Sequence, residues 1–140
     1  MYIMFGFYKF KQLKKINVLN KRLIKIINIY NIKGTIIISS EGINGSISFL
    51  KKDLNKIKIK IKKIFKISKF DNENSVLTKF VPFKKGRIKL KKEVVPIGKK
   101  LKHRVKNNHL SPNQWNKFVL RKDSFIIDTR KEFEFKIGTF

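Results

Sequence analysis

The sequence predicts an α+β domain over residues 1–98, with the element order β-α-β-β-α-β. Three observations carry this prediction. Tyr2–Phe10 is rich in aromatic residues and isoleucine, which favour strands. Two later stretches repeat apolar residues at helical spacing, and a stretch with strand character follows each of them. The order is that of the split βαβ, or ferredoxin-like, arrangement.

The first helix is predicted from apolar residues spaced three and four apart, and it ends near Asn31. Its stripe consists of Ile16, Leu19, Leu23, Ile26, Ile27 and Tyr30. The second helical stretch, Leu50–Phe65, is ambiguous because Ile57–Lys62 reads IKIKIK and alternates like a strand. The helical repeat covers more of the chain, and Asp53 in the first turn suits the helix dipole. We therefore predict a helix there.

The segment between these helices, Lys33–Phe49, predicts a β-hairpin, because two strand-like runs flank a polar stretch. Asn44-Gly45 supplies the positive φ angles that a tight turn needs. Glu41 is the only acidic residue among the first 52 residues. A lone carboxylate beside exposed turn amides is a plausible ligand contact, and a polar tip without a ligand is the alternative. The candidate ligand loop comprises Glu41, Gly42, Asn44 and Gly45.

The last strand of this domain is predicted at Val76–Val81, because Pro82 cannot donate to a ladder. Residues 71–74 predict a loop by composition. Lys84–Gly98 predicts a further extended segment in which cations alternate with apolar residues, so that cations on one face lie about 6.6 Å apart. We name its densest part the basic segment: Lys84, Lys85, Arg87, Lys89, Lys91 and Lys92.

The formal charge of the chain is +26, and it is uneven. Residues 1–106 hold 29 Lys+Arg against 5 Asp+Glu, whereas residues 107–140 hold 6 against 4. Such a surface attracts polyanions through steering and counterion release. A bias towards A/T-rich codons explains part of the excess, since 30 of the 35 basic residues are Lys. The basic segment is therefore a candidate RNA-backbone contact, with a solvated strand face as the alternative.

Other residue types exclude several kinds of chemistry. The chain has no cysteine, which excludes disulfides, thiolate metal sites and cysteine nucleophiles. His103 and His109 are isolated, so no metal site is predicted. No run is long enough to span a membrane, and Met1–Phe10 lacks the basic region and the length of a signal peptide, so the protein is predicted to be cytoplasmic. Phe80 and Phe83 are predicted to pack in the core, with base stacking as the alternative.

Residues 109–140 predict the beginning of a second unit, after a basic linker at residues 99–108. Ser111-Pro112 starts a helix, with Ser at the N-cap and Pro at the first helical position. Trp115 lies on its apolar stripe and is predicted to anchor a core. Phe125–Arg130 predicts a short buried strand of the parallel type, in which Asp128 and Arg130 form a structural ion pair.

Five motifs follow one another along the chain. They are Phe7–Phe10, the stretch GTIIISSEGINGSIS at residues 34–48, Pro82-Phe83 with Arg87–Val95, Leu110–Asn116, and Ile127–Arg130 with Ile137–Phe140. The second is similar to the GTILLAxEGINGTI signature of the bacterial tRNA uridine hydroxylases that carry a rhodanese domain. The five motifs together, in their order, resemble the first part of that family.

The resemblance implies a substrate and a reaction. Enzymes of this family hydroxylate C5 of the wobble uridine, with tRNA as partner and molecular oxygen as co-substrate. It also implies an acylphosphatase-like domain at 1–98 and the start of a rhodanese-like domain at 109–140. The family's essential cysteine has no counterpart here, so we predict a truncated or split member with no catalytic residue and no identifiable cofactor. A second polypeptide carrying the rest is a candidate partner.

Two alternatives to this enzyme are open. The first is a stand-alone basic RNA-binding module without catalysis. The second is acylphosphatase chemistry, suggested by fold alone, which needs an arginine in the first strand–helix loop. That loop reads Lys9-Phe10-Lys11-Gln12 and has none.

Overall fold

A computed structural model describes residues 1–94 and 110–138. The chain divides into two compact units, Met1–Lys100 and Leu101–Phe140. Each is described by itself. The predicted basic linker, residues 95–98 of the predicted extended segment, and both histidines lie outside the described residues.

The first unit has the predicted element order. Its elements are β1 (Tyr2–Phe10), α1 (Ile16–Ile29), β2 (Lys33–Ser39), β3 (Gly42–Leu50), a 3₁₀ turn (Lys51–Asp53), α2 (Leu54–Phe65), β4 (Asn72–Thr78) and β5 (Gly86–Leu90). The strands form one mixed sheet in the order β4-β1-β3-β2-β5. β5 runs parallel to β2, and the other neighbours are antiparallel. The α+β class is confirmed, and β5 extends the predicted arrangement by one strand.

The core lies between one face of the sheet and the two helices. Alternate residues of the strands point inwards, among them Phe5, Ile36 and Ile47, and they meet Leu23 of α1 and Ile61 of α2. Burying such a side chain contributes about 1.5–3 kcal/mol. Because side chains alternate along a strand, the residues between these inward-pointing ones lie on the opposite face. We name that opposite face the open face.

The hairpin turn lies at Ser40-Glu41, so the prediction of a turn at Asn44-Gly45 is wrong. Asn44 and Gly45 belong to β3, where they pair with Ile37 and Ile36 of β2. Gly45 is needed for another reason: a Cβ there would overlap the Phe7 ring. The Asn-Gly pair therefore serves close packing, and the four residues of the candidate ligand loop do not form one loop.

The predictions for the last two strands of this unit are partly wrong. β4 runs from Asn72 to Thr78, so residues 72–74 form a strand and not a loop. β4 lies at an edge of the sheet and pairs only with β1. Its polar side chains are exposed, so a strand of this composition is possible there. The extended basic stretch forms a strand only at Gly86–Leu90, and Lys91 follows its end.

The second unit contains α3 (Pro112–Val119) and α4 (Glu132–Ile137). Ser111 caps α3 as predicted, and Gln114 completes a capping box. The prediction of a strand at Phe125–Arg130 is wrong within the described residues, where this stretch has no ladder partner. None of residues 110–138 is buried, and Trp115 is 36% exposed, so its predicted core role is wrong as well.

One predicted feature of the second unit is confirmed. Arg130 Nη2 lies 2.6 Å from Asp128 Oδ2, and the same nitrogen donates to the Gly138 carbonyl at 2.8 Å. The Arg130 guanidinium holds the pKa of the Asp128 carboxyl below its ordinary value, chiefly through the side-chain hydrogen bond. This ion pair joins the loop before α4 to the residue after it.

Candidate nucleic-acid interface

Strand β5 holds two cations of the basic segment on the open face. Ile88 lies opposite Ile36 of β2 and packs against the core. Since side chains alternate, Arg87 and Lys89 project from the opposite face, beside Thr35 and Ile37. Both are exposed. The predicted alternation along this strand is therefore confirmed from Arg87 to Lys89.

Backbone hydrogen bonds hold Lys85 and Lys91, which lie on either side of β5, against β2. The Lys85 carbonyl accepts a hydrogen bond from the Gly34 amide at 2.9 Å, just before β5 begins. The Lys91 amide donates to the Ile38 carbonyl at 3.0 Å, just after β5 ends. All six side chains of the basic segment are exposed. The backbone thus presents exposed ammonium and guanidinium groups at one edge of the sheet.

Within the described part of the first unit, the acidic groups that form ion pairs lie at the other edge of the sheet. Lys9 pairs with Asp71 at 2.5 Å, and Lys58 pairs with Glu73 at 2.7 Å, both beside β4. Between described residues, no ion pair involves any of the six cations of the basic segment. Among the described residues, the β5 edge therefore presents six cations without an ion-pair partner.

Glu41, the predicted ligand contact, serves the fold. Its carboxylate Oε2 accepts from the Val94 amide at 3.4 Å, and its amide donates to Ser39 Oγ at 3.0 Å. Its carbonyl accepts from the Lys11 amide at 2.9 Å. These contacts fix the hairpin tip against the loop after β1 and against the chain after β5. The ligand role of Glu41 stays a prediction.

The open face also presents polar side chains that the sequence reasoning missed as a group. Strand pairing places them in two neighbouring rows across the sheet. The first row is Asn72, Tyr8, Asn44, Ile37 and Lys89, and the second is Asn74, Gly6, Ser46, Thr35 and Arg87. The strict alternation along β1, with Phe5 and Phe7 inward, could have placed Tyr8 on this face. The two rows, however, depend on how neighbouring strands pair residue by residue. That pairing cannot be predicted from the sequence of one strand alone.

A shallow cleft lies over the β4-β1-β3 part of these rows. Its volume is about 320 Å³. It is lined by Met4, Gly6, Phe7, Tyr8, Asn44, Gly45, Ser46, Asn72, Glu73 and Asn74. Asn44 and Gly45 of the candidate ligand loop thus meet at this cleft, whereas Glu41 and Gly42 lie outside its lining.

The two phenylalanines before the basic segment differ. Phe80 is 68% exposed, so its predicted place in the core is wrong. Phe83 is half-buried, and its ring lies 3.0 Å from where a Cβ on Gly34 would stand. The connection from β4 to β5 keeps one aromatic ring packed and leaves the other in solvent.

The described ranges, residues 1–94 and 110–138, hold neither a metal-binding cluster nor a membrane-spanning helix. No group of three His, Cys, Asp or Glu side chains there is arranged to hold a metal ion. No helix there is long and apolar enough to cross a bilayer.

A comparison with protein families identifies the first unit. The family described as the UPF0176 acylphosphatase like domain matches residues 2–94. The chain belongs to this family. Membership confirms the predicted acylphosphatase-like domain, whereas the rhodanese-like character of the later residues stays a prediction.

Curated relatives extend the likeness of this UPF0176 member beyond the domain. A protein named tRNA uridine(34) hydroxylase from Pelagibacter ubique is 49% identical over 142 residues, which cover 100% of this chain and 47% of the relative. A protein of the same name from Acinetobacter baumannii strain AYE is 33% identical, covering 99% and 44%. The chain thus spans about half the length of these relatives.

A solved structure, full-length HypF in its phosphate- and nucleotide-bound form, aligns with 64% of this chain and 12% of its own. Its TM-score of 0.40 and identity of 19% are too low to bear on function.

Proposed function

We propose that this chain provides tRNA binding to a tRNA uridine(34) hydroxylase. The reaction is the oxygen-dependent 5-hydroxylation of the wobble uridine. The relatives with this name support the substrate, because they match the chain along 99–100% of its length. The observation that carries the proposal is the basic segment, whose six exposed cations have no ion-pair partner among the described residues.

The basic segment acts on the phosphate backbone. Arg87 offers a planar fork that fits two phosphate oxygens, and Lys89 offers a compact charge beside it. Each phosphate contact releases counterions, so affinity rises with the number of contacts and falls with salt. Such contacts position the tRNA without reading its sequence.

The chemistry itself belongs to the part of the relatives that this chain does not span. The chain has no cysteine and so no counterpart of the family's essential thiol. We assign residues 1–98 to tRNA binding, 99–108 to a linker and 109–140 to the start of a rhodanese-like domain. A cysteine-bearing partner polypeptide completes that domain, and the complex works in the cytoplasm.

The second candidate function is a stand-alone RNA-binding module. The same basic segment supports it, because contacts to the phosphate backbone need no catalytic group. The two functions differ in one property: only the first gives hydroxylated uridine when the missing half is supplied.

Salt-dependent binding tests the tRNA contact. Affinity of the full chain for tRNA is measured between 50 and 300 mM salt, and log K is expected to fall linearly with log salt. The combined change Arg87→Gln, Lys89→Gln and Lys91→Gln should flatten this slope by about 2 to 3, because about three phosphate contacts are lost.

A matched control separates this contact from net charge. Lys21→Gln, Arg22→Gln and Lys25→Gln remove the same side-chain types from exposed positions of α1, on the helix side of the sheet. The control should leave the slope within about 0.5 of the wild type. If both triple variants flatten the slope equally, tRNA binding depends on the net charge of the chain and not on the basic segment in particular.

A reconstitution assay separates the enzyme from the binding module. The chain is mixed with tRNA and with the part of the Pelagibacter ubique relative that this chain does not match, and 5-hydroxyuridine is measured by mass spectrometry. Product is expected only with both halves. Product from the chain alone would place the chemistry in the first unit, and none from the mixture would favour the module.

A further inference from the structure

We propose that the open face binds unpaired nucleotides of RNA, with one base in the cleft beside Tyr8 and the backbone running towards Arg87 and Lys89. The inference rests on the proposed function and names the part of the tRNA that this face meets: a single-stranded segment. The basic segment alone would serve double-stranded RNA equally well.

Tyr8 supplies the stacking surface. It lies on β1, the second strand from the β4 edge, in the lining of the cleft, and is half-buried. The Phe10 ring meets it edge-on at a centroid distance of 5.8 Å. That contact restrains the Tyr8 ring, so less freedom is lost when a base stacks on it. Aromatic side chains on the face of a four-stranded sheet are a common platform for unpaired bases.

Three carboxamides around the ring supply hydrogen bonds. Asn44 and Asn72 lie directly opposite Tyr8 on the two neighbouring strands, and Asn74 lies opposite Gly6. Gly6 leaves room for the Asn74 side chain in the cleft, because a Cβ on residue 6 would overlap Asn74 Oδ1. A carboxamide both donates and accepts, which matches the mixed edge of a nucleobase. The cleft volume of about 320 Å³ suits a base with its ribose.

The two rows connect this cleft to the cations. Each row crosses β4, β1, β3, β2 and β5 in turn, and the rows end at Lys89 and Arg87. Three strand spacings separate β1 from β5, which is about 14 Å. A chain of two or three nucleotides covers that distance. Its base therefore reaches Tyr8 while neighbouring phosphates reach β5.

The charge on this face selects RNA as the occupant. The one acidic residue in the cleft lining, Glu73, is paired with Lys58 at 2.7 Å. The remaining lining residues are neutral, and the rows end in cations. A second copy of this chain would bring two positively charged sheets together, and these would repel each other. An RNA strand carries negative phosphates, so the same cations attract it.

Binding of a labelled uridine octanucleotide to the full chain tests the platform. Tyr8→Leu keeps apolar bulk but removes the aromatic face, and it should weaken binding about tenfold. Tyr8→Phe should stay within about twofold of wild type. Both variants should bind a duplex RNA of the same length as tightly as the wild type does.

A second pair of variants guards against misfolding at Tyr8. Asn72→Ala with Asn74→Ala changes only exposed side chains of an edge strand, and Asn17→Ala with Asn28→Ala is the matched control on α1. The β4 pair should weaken the octanucleotide at least fivefold, and the α1 pair should not. Photocrosslinking from 4-thiouridine should label peptides of β1 and β3.

The outcomes separate the two proposals. If the octanucleotide binds all variants equally while the basic-segment variant loses tRNA, the proposed function stands and the platform is overturned. If wild type binds neither RNA, the proposed function itself fails. A dimer in the absence of RNA that Tyr8→Leu dissociates would make the open face a contact between two copies, which overturns the platform as well.

Discussion

The two units bury their apolar side chains very differently. In the first unit, Phe5, Ile36 and Ile61 are at most 1% exposed. In the second, Leu120, Phe125 and Ile137 are each more than 80% exposed, and none of residues 110–138 is buried. Both units have apolar residues at the spacing of a helix or a strand. Only in the first unit do other helices and strands pack over these residues and bury them. Patterning thus predicts which side chains need cover but not whether cover is present.

Hydrogen exchange should show this difference at its largest. Amides in the central strands β1 and β3 open only with the whole unit, so their protection should approach the global free energy of unfolding, about 5 kcal/mol or more. Amides of Phe125–Arg130 have no ladder and should exchange at least a thousandfold faster. Exchange is followed by mass spectrometry on the full chain. Similar protection of the amides in β1 and β3 and of those in Phe125–Arg130 would contradict the difference in stability between the two units.

Truncation of one phenylalanine in each unit sharpens the comparison. Phe5→Ala should destabilise the chain by about 3–5 kcal/mol, because it empties the centre of a packed core. Phe125→Ala is the matched change at a side chain that is 86% exposed, and it should change stability by less than about 0.5 kcal/mol. Urea unfolding measures both. A large loss with Phe125→Ala would indicate a core that forms around it in solution.

A glycine pair gives the smallest expected effect. Gly45→Val should cost about 1–3 kcal/mol, because the new side chain overlaps the Phe7 ring and forces repacking. At Gly138 a Cβ meets nothing within 4 Å, and φ is 168°, which any residue adopts. Gly138→Val should therefore leave the stability nearly unchanged. Thermal melting of both variants and of the wild type measures the difference. Equal melting temperatures for Gly45→Val and wild type would contradict the close approach.

The sequence predicted elements that local patterns determine. β1 was predicted with its observed bounds, because Tyr2–Phe10 is continuous and rich in strand formers. α1 and α2 follow from their apolar stripes, and the strand alternative at Ile57–Lys62 lost to the longer helical repeat. The cap at Ser111 needs only neighbouring residues, and it was found as well.

The errors occurred where the outcome depends on distant residues. Asn44-Gly45 has the composition of a turn, but it lies within β3, where Gly45 packs against the Phe7 ring of β1. Residues 72–74 look like a loop, but β1 offers them an edge to pair with. Phe125–Arg130 looks like a buried strand and finds no neighbour among the described residues. The rows of the open face depend on register in the same way.

Strand β5 has a consequence beyond ligand binding. Without it, β2 would form the edge of the sheet and would offer its isoleucine-rich backbone to any other strand. β5 pairs with that edge and presents Arg87 and Lys89 in its place. Two such edges repel each other, which disfavours growth of the sheet by a second chain. The cations that are proposed to contact RNA are therefore also expected to reduce aggregation of an isoleucine-rich sheet.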